Sequence, residues 1–415
     1  MKMYDVIIIG GGAAGLTAAL SASMDGAQTL ILEAAPRIGR KLLATGNGRC
    51  NMANTGAPRY YGGKAFAQAV LARCAPEQVR QFFAGFGLVT VEEDGGRVYP
   101  ACGQAAAVLD VLRAALARYH VDIQCDAPVQ ALRPSGDAFR LRTPQGEFSA
   151  RRVIAACGGR AGGKLGHDGE AYALLTALGH PLRPVFPVLT QLITEKEAVR
   201  GLSGLRLPAR LTLCDGRQPY SAAQGEALFT DYGVSGVCAM QLSRDAGALL
   251  RRGRKPVLYL DFSPMLGLIP RLYDRVAAET PEKNVPLLQA YLERRAHTLP
   301  PDMLLCGLTP RLLTEKLKSL PLREVARMLA AYPAPITGVK GFENAQVTGG
   351  GLDVAAFSPE TLSSRLINGL YAVGEMLNVD GDCGGYNLQF AFACGILAGK
   401  SAAESLRPSG AGASF

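Results

Sequence analysis

Residues 3–33 limit what this chain can become more than any other stretch. They read Met-Tyr-Asp-Val-Ile-Ile-Ile, then Gly10-Gly11-Gly12-Ala13-Ala14-Gly15, an Ala/Leu-rich run, and finally Thr-Leu-Ile-Leu-Glu33. Residues 6–9 are β-branched and suit a buried strand. Gly10, Gly12 and Gly15 give the spacing G-x-G-x-x-G at the turn into a helix over residues 16–24. The first glycine permits the tight turn, the second lets backbone approach a diphosphate, and the third lets helix and strand pack closely. The diphosphate belongs on the free N–H groups at the positive end of the helix. A second strand over residues 29–32 ends on Glu33, 18 residues after Gly15, where an acid can bond both ribose hydroxyls. A lone glycine triplet is weak evidence, but strand, turn, helix, strand and acid in register indicate dinucleotide binding.

A secretory leader is the competing reading, because Lys2, an apolar run and Leu20-Ser-Ala-Ser imitate one. Asp5 and four glycines break its apolar core, and it leaves Glu33 without a role. A cytoplasmic protein is expected.

The chain has 415 residues, 48% hydrophobic and 19% charged, enough for two or three domains with a substantial core. It has no apolar run long enough to span a bilayer, so no membrane is expected. The net charge of +9 favours anionic ligands. The basic residues are nevertheless scattered. The densest group, Arg251-Arg252-Gly253-Arg254-Lys255, reads as a solvated turn before a strand, so no nucleic-acid partner is expected. None of the ten cysteines stands within five residues of another, which excludes local zinc pairs and the redox pair of flavin disulfide reductases. The four histidines, His120, His167, His180 and His297, show no ligand spacing, and no metal is expected.

Past Glu33 runs a glycine-rich polar loop from Ala34 to Asn51. Helices are expected over 76–85 and 105–119, and short strands over 88–92, 121–125, 128–132, 139–143 and 146–149. The apolar segment 152–156 then meets Cys157-Gly158-Gly159, which suits a second backbone approach to the same cofactor. Prolines over 181–187 mark a domain exit. Residues 190–262 are β-like, with strands over 211–214, 226–230 and 257–261. Residues 263–336 become helical between prolines such as Pro270, Pro286, Pro301 and Pro321, most clearly over 286–295 and 321–331. Glycine-rich α/β chemistry resumes near Thr348. A strand over 370–373 meets Gly374-Glu375, and Gly384-Gly385-Tyr386-Asn387 precedes a helix over 388–403. The nucleotide domain is thus discontinuous: 1–189 with 337–415, a β-rich domain over 190–262, and a helical domain over 263–336. A helix beginning at Asn387 or Leu388 aims free N–H groups at an electron-rich acceptor such as the N1/C2=O edge of a flavin.

These segments resemble, end to end, the BaiN/YhiN-type NAD(P)/FAD-dependent oxidoreductases, also described as aminoacetone-oxidase-like flavoproteins. The resemblance rests on Gly10–Gly15 with Glu33, on residues 39–51 (Gly-Arg-Lys-Leu-Leu-Ala-Thr-Gly-Asn-Gly-Arg-Cys-Asn), on residues 225–236, and on Gly374-Glu375 through Gln389. The second and fourth are specific to the family. It implies an α/β fold in which a Rossmann-like FAD-binding domain carries an inserted β-barrel-like domain and a small helical domain. It further implies that Gly10, Gly12, Ala14 and Gly15 hold the FAD diphosphate and Glu33 the adenosine ribose. Arg40 and Lys41 lie near the phosphates and ribose, and Val129 meets the adenine through its backbone. Thr45, Gly46, Arg49 and Cys50 line the flavin, with Cys157 and Gly158 at the second approach. Gly374, Glu375, Asp380, Gly385, Tyr386, Asn387, Leu388 and Gln389 hold the ribityl chain and isoalloxazine. The chain departs from the family at Asn378, at Cys383 and over 164–169, which bears on substrate rather than on FAD.

No second G-x-G-x-x-G occurs, so NADH or NADPH is expected as a transient visitor to the flavin. The leading expectation is reduction of an activated C=C in an enone of steroid or bile-acid type, with Arg49 and Tyr386 as candidates for oxyanion donor and proton source. The alternatives are an FAD-dependent oxidase of a small, aminoacetone-like amine that releases hydrogen peroxide, and a flavin-bearing RNA-modification protein.

Overall fold

The computed structural model describes residues 2–165, 169–268, 276–300 and 303–407. His167, Pro270 and Pro301 lie outside the described residues. The chain forms two compact units, Met1–Phe186 with Val347–Phe415, and Pro187–Gln346.

The first unit is an open twisted sheet. Its strands are β1 (Met3–Ile9), β2 (Thr29–Leu32), β3 (Asp122–Gln124), β4 (Ala131–Ser135), β5 (Ala138–Thr143) and β6 (Gly146–Ala155). Their order is β3-β2-β1-β6-β5-β4, with Leu370–Ala372 added beside β6. β1 runs parallel to both β2 and β6, and Val6, Ile7 and Ile8 are fully buried, as strands covered on both faces require. Strand segments expected separately at 146–149 and from 152 are one continuous strand. The first half of β6 pairs antiparallel with β5, and its last three residues pair parallel with Leu370–Ala372.

The first helix, Ala13–Met24, is buried along nearly its whole length, in keeping with a sequence apolar on every side. Its partner is the C-terminal helix, Tyr386–Glu404, which starts slightly earlier than its glycine pattern predicts. Their small residues let the two backbones touch. A Cβ at Gly395 would fall 2.3 Å from the Ala14 carbonyl oxygen, and one at Gly399 would fall 2.2 Å from that of Ala18. The Ser21 hydroxyl donates to the Ile396 carbonyl at 2.8 Å, crossing the same seam.

The second unit is a closed six-stranded barrel: β7 (Leu192–Thr194), β8 (Arg206–Asp215), β9 (Gln218–Phe229), β10 (Gly233–Ser235), β11 (Pro256–Asp261) and β12 (Tyr332–Val339). The helical stretch expected as a third domain is an insertion between β11 and β12. Leu288, Leu292, Leu313, Leu317, Val325 and Leu329 join the same buried cluster as Leu211, Phe229 and Leu260 of the barrel. The unit therefore ends near residue 346 rather than 336, because β12 closes the barrel against β7. Among the described residues, no helix is long and apolar enough to cross a membrane.

Gly399→Val places a branched side chain against the Ala18 carbonyl with no room to repack. We expect a loss of about 1–3 kcal/mol, read as a lower thermal midpoint by circular dichroism. A midpoint equal to that of the unmodified protein would show that the helix seam is not tightly packed.

Candidate functional site

β1 leads into the first helix and on to β2 on one side, while β6 begins the other half of the sheet. Their carboxyl ends therefore form the switch point at which open α/β sheets bind ligands. Two glycines there are structural. A Cβ at Gly10 (φ +108°) would meet the Ala156 carbonyl oxygen at 2.5 Å, and one at Gly15 would meet the Gly10 carbonyl oxygen at 1.9 Å. Gly12 differs, since its φ is −86° and a Cβ there meets nothing within 4 Å. It fronts open ground before a helix whose first intrahelical bond is Leu16 N–H to the Gly12 carbonyl, leaving the preceding N–H groups for an anion.

Glu33 follows β2 directly with both oxygens held: Oε2 accepts from Gly11 N–H at 2.6 Å and Oε1 from Ala35 N–H at 2.7 Å. Each oxygen keeps a lone pair for a hydroxyl. Ala127 N–H donates to the Glu33 carbonyl at 2.8 Å, which brings the segment carrying Val129 alongside. Cys157 and Gly158 follow the end of β6, where Cys157 N–H meets the Met376 sulfur at 3.2 Å.

The second glycine cluster reaches the same place. A Cβ at Gly374 (φ +68°) would fall 3.0 Å from the Ala14 Cβ, so this segment abuts the start of the first helix. Glu375 bridges two chain regions: Oε2 accepts from Lys41 Nζ at 2.6 Å and Oε1 from Thr348 N–H at 2.9 Å. Asp380 is fully buried in the strand Val379–Gly381, which Asn387 holds through both the N–H and the carbonyl of Gly381. Gly385 (φ +105°) caps the C-terminal helix. A Cβ there would fall 2.3 Å from the Ala53 carbonyl oxygen and 2.6 Å from Asn51 Oδ1.

The loop after the first basic pair is bent against its residue types. Gly46, Asn47, Gly48 and Cys50 all have positive φ, and Cys50 is fully buried. Burial pushes the Cys50 thiol up to about 12, against a smaller lowering by the Thr45 hydroxyl. Burial likewise takes Cys157 to about 12. Burial thus disfavours the thiolate form of both. Asn51 is 9% exposed, and its Oδ1 has no hydrogen-bond partner among the described residues. A buried acceptor of this kind is completed by a donor from outside the chain, a water or a ligand N–H.

Arg49 and Tyr386 occupy different environments from those nominated for them. Arg49 donates to both oxygens of Glu93, at 2.5 and 3.2 Å, and lies 4.1 Å over the Tyr99 ring. Its charge is already matched. Tyr386 is 6% exposed and packs edge-on to Tyr60 at 5.9 Å, while the Tyr60 hydroxyl donates to the Tyr386 carbonyl. Three residues escaped the sequence reading: Asn51 as an orphaned acceptor, Thr348, and Asn54. Asn54 ties this loop to the second glycine cluster: its N–H donates to Gln389 Oε1 and its Nδ2 to the Gly384 carbonyl. The only available signal was a polar residue just beyond the glycine-rich loop.

An unfilled approach at Gly12, two helix starts with free N–H groups and a buried acceptor beside a flavin-type loop suit a dinucleotide carrying a ring with its own N–H. FAD has these features, and the chain is an FAD-dependent oxidoreductase built on a Rossmann-type fold. It belongs to the HI0933-like family, whose Rossmann-domain model matches residues 4–401. It is 38% identical to the 3-dehydro-bile acid delta(4,6)-reductase of Clostridium scindens, across 97% of this chain and 100% of the relative. It is 26% identical to the ribosomal RNA dihydrouridine synthase of Escherichia coli, across 97% and 100%. Among solved structures, 3-ketosteroid delta1-dehydrogenase from Sterolibacterium denitrificans shares the fold at TM-score 0.53 and 16% identity, covering 98% of this chain and 100% of that one.

The two glycine types predict two mutant behaviours. Gly12→Val should fold normally yet lose FAD, because its side chain fills the approach to the diphosphate. Gly15→Val should fail to fold, because its Cβ overlaps backbone. Circular dichroism with flavin absorbance after gel filtration separates them, and a yellow, folded Gly12→Val would remove the diphosphate from this turn.

Proposed function

We propose that this protein reduces a C=C bond conjugated to a carbonyl in a small molecule of steroid or bile-acid type, with NADH or NADPH as the electron source. One observation carries the reading: full-length similarity, at 38% identity, to a reductase named for a 3-keto dienone substrate. The more distant dihydrouridine synthase is chemically compatible, since forming dihydrouridine saturates a pyrimidine C=C conjugated to C=O. When bound, FAD supplies the hydride for such a saturation.

The chain's own residues set the conditions for that transfer. Gly10, Gly12, Ala14 and Gly15 receive the diphosphate and Glu33 the ribose. Lys41, paired with Glu375, places a buffered positive charge between them. Thr45, Gly46, Cys50, Cys157 and Gly158 wall the ring, and Asn51 accepts from its N–H. Gly385, Tyr386, Asn387, Leu388 and Gln389 present the positive end of a helix to the edge that gains charge on reduction. Arg49, clamped by Glu93, fixes the loop that carries Cys50 and Asn51. Tyr386 acts as a packed wall. Without a second glycine turn, the nicotinamide comes and goes through the cleft the substrate uses.

Anaerobic mixing of the FAD-loaded protein with NADH or NADPH should bleach the flavin. A 3-oxo-Δ4 steroid should then restore the colour, with one saturated ketone formed per flavin. Bleaching by an aminoacetone-like amine without nicotinamide, with peroxide formed in air, would instead establish an oxidase. Reoxidation by uridine-containing RNA alone would move the substrate class to nucleic acid.

A further inference from the structure

The hairpin Thr90–Glu93 and Arg97–Pro100 pairs on its other side with Ala53–Asn54, next to the loop that carries Arg49. Arg97 therefore stands across from both Glu93 and Asn54. Each is committed elsewhere. Glu93 is taken by Arg49, and Asn54 spends Nδ2 on the Gly384 and Gly95 carbonyls and Oδ1 on Gly56 N–H. The half-buried Arg97 guanidinium consequently has no hydrogen-bond or ion-pair partner among the described residues.

Its surroundings lead to the start of the C-terminal helix. A Cβ at Gly384 would lie 3.4 Å from Asn54 Nδ2, 3.8 Å from Tyr386 Cε2 and 3.9 Å from Arg97 Nε. Gly384 thus lies where an amide, a ring edge and a cation converge. The next residue, Gly385, caps the C-terminal helix and touches the orphaned carbonyl of Asn51, which is more than nine-tenths buried. The charged and titratable groups around Arg97 are Glu93, Arg49, Tyr99 and Cys383. Of these, the one carboxylate is neutralised by Arg49.

We infer that Arg97 is the cation that holds the substrate's carbonyl oxygen, in place of Arg49, which its own sequence motif suggests. The inference rests on the conjugated-carbonyl reading above. Hydride adds to the β-carbon, the C=C electron pair moves toward the carbonyl, and the oxygen takes up the negative charge. A proton then reaches the α-carbon, so the bond gains two electrons and two protons in all. A guanidinium keeps its charge through this sequence and releases no proton. Arg97 therefore stabilises the oxyanion, and the proton comes from another donor. A half-buried guanidinium whose facing carboxylate, Glu93, already spends its hydrogen bonds on Arg49 keeps its own donors for a developing oxyanion.

The test uses the FAD-loaded protein with Arg97→Gln and Arg97→Lys. Three readouts are taken: reoxidation of reduced flavin by a neutral 3-oxo-Δ4 steroid and by a carboxylate-bearing analogue, the flavin midpoint potential, and binding of a series of substituted phenols as enolate mimics. The glutamine variant should lower the maximal reoxidation rate about 100-fold for both substrates, and lysine should recover part of it. FAD affinity and midpoint potential should stay unchanged, and the preference for phenolate over phenol should disappear. A loss confined to KM for the carboxylate-bearing substrate would overturn the inference by assigning Arg97 to the substrate's tail. A shifted midpoint potential would overturn it by assigning Arg97 to the flavin. Unchanged rates and phenolate binding would also overturn it. If the unmodified protein reoxidises with no enone, the functional reading fails, while loss of phenolate selectivity would still identify Arg97 as an oxyanion holder.

Discussion

The first unit depends on the direct contact between its earliest and latest helices. Gly395 and Gly399, four residues apart on one helix face, bring that backbone against Ala14 and Ala18. The approach is closer than any side chain permits, so the seam is specified by the absence of Cβ atoms. It also closes a loop of nearly the whole chain, a cost that rises only slowly with loop length. Once the helices meet, Gly374 lands beside Ala14, and the two glycine-rich regions share one site. The inserted barrel is accommodated because the chain leaves through Leu182–Val188 and returns through its partner strand, Val347–Leu352.

Electrostatics complete what packing begins. The candidate site's segments carry positive ends: two helix N-termini, Lys41 and Arg49, with Arg97 across the adjoining hairpin. Some of this charge is compensated inside the protein, Lys41 by Glu375 and Arg49 by Glu93. These pairs are partly exposed and contribute little to stability by themselves. Their consequence is selective: they determine which cations remain available to a ligand. Arg97 stands out because its neighbours are already occupied, which no inspection of charge composition reveals.

Legibility followed the range of the interactions. The turn Gly10–Gly15, Glu33 and β1 to β2 are local, and their spacing in the chain reports their geometry directly. The resemblance of residues 39–51 and 374–389 to a flavoprotein family identified the cofactor loops, yet their mutual contacts were hidden. Lys41 was expected near phosphates and is found bonded to Glu375, 334 residues away. The helical segment read as a separate domain because its prolines and apolar spacing contrast with the strands before it. Its leucines are shared with the barrel core, and such sharing leaves no mark in composition.

From residue order alone came the α/β class, the dinucleotide turn, the interrupted nucleotide domain and the flavin family, because each rests on short-range periodicity or on a contiguous motif. The folded chain decided which glycines are forced by backbone contact and that Gly12 fronts open space. It also decided that Arg49 is spent on Glu93 while Arg97 is not. Pairing among side chains hundreds of residues apart is set by where strands and helices come to rest, and a charged residue's partner is chosen by distance in space.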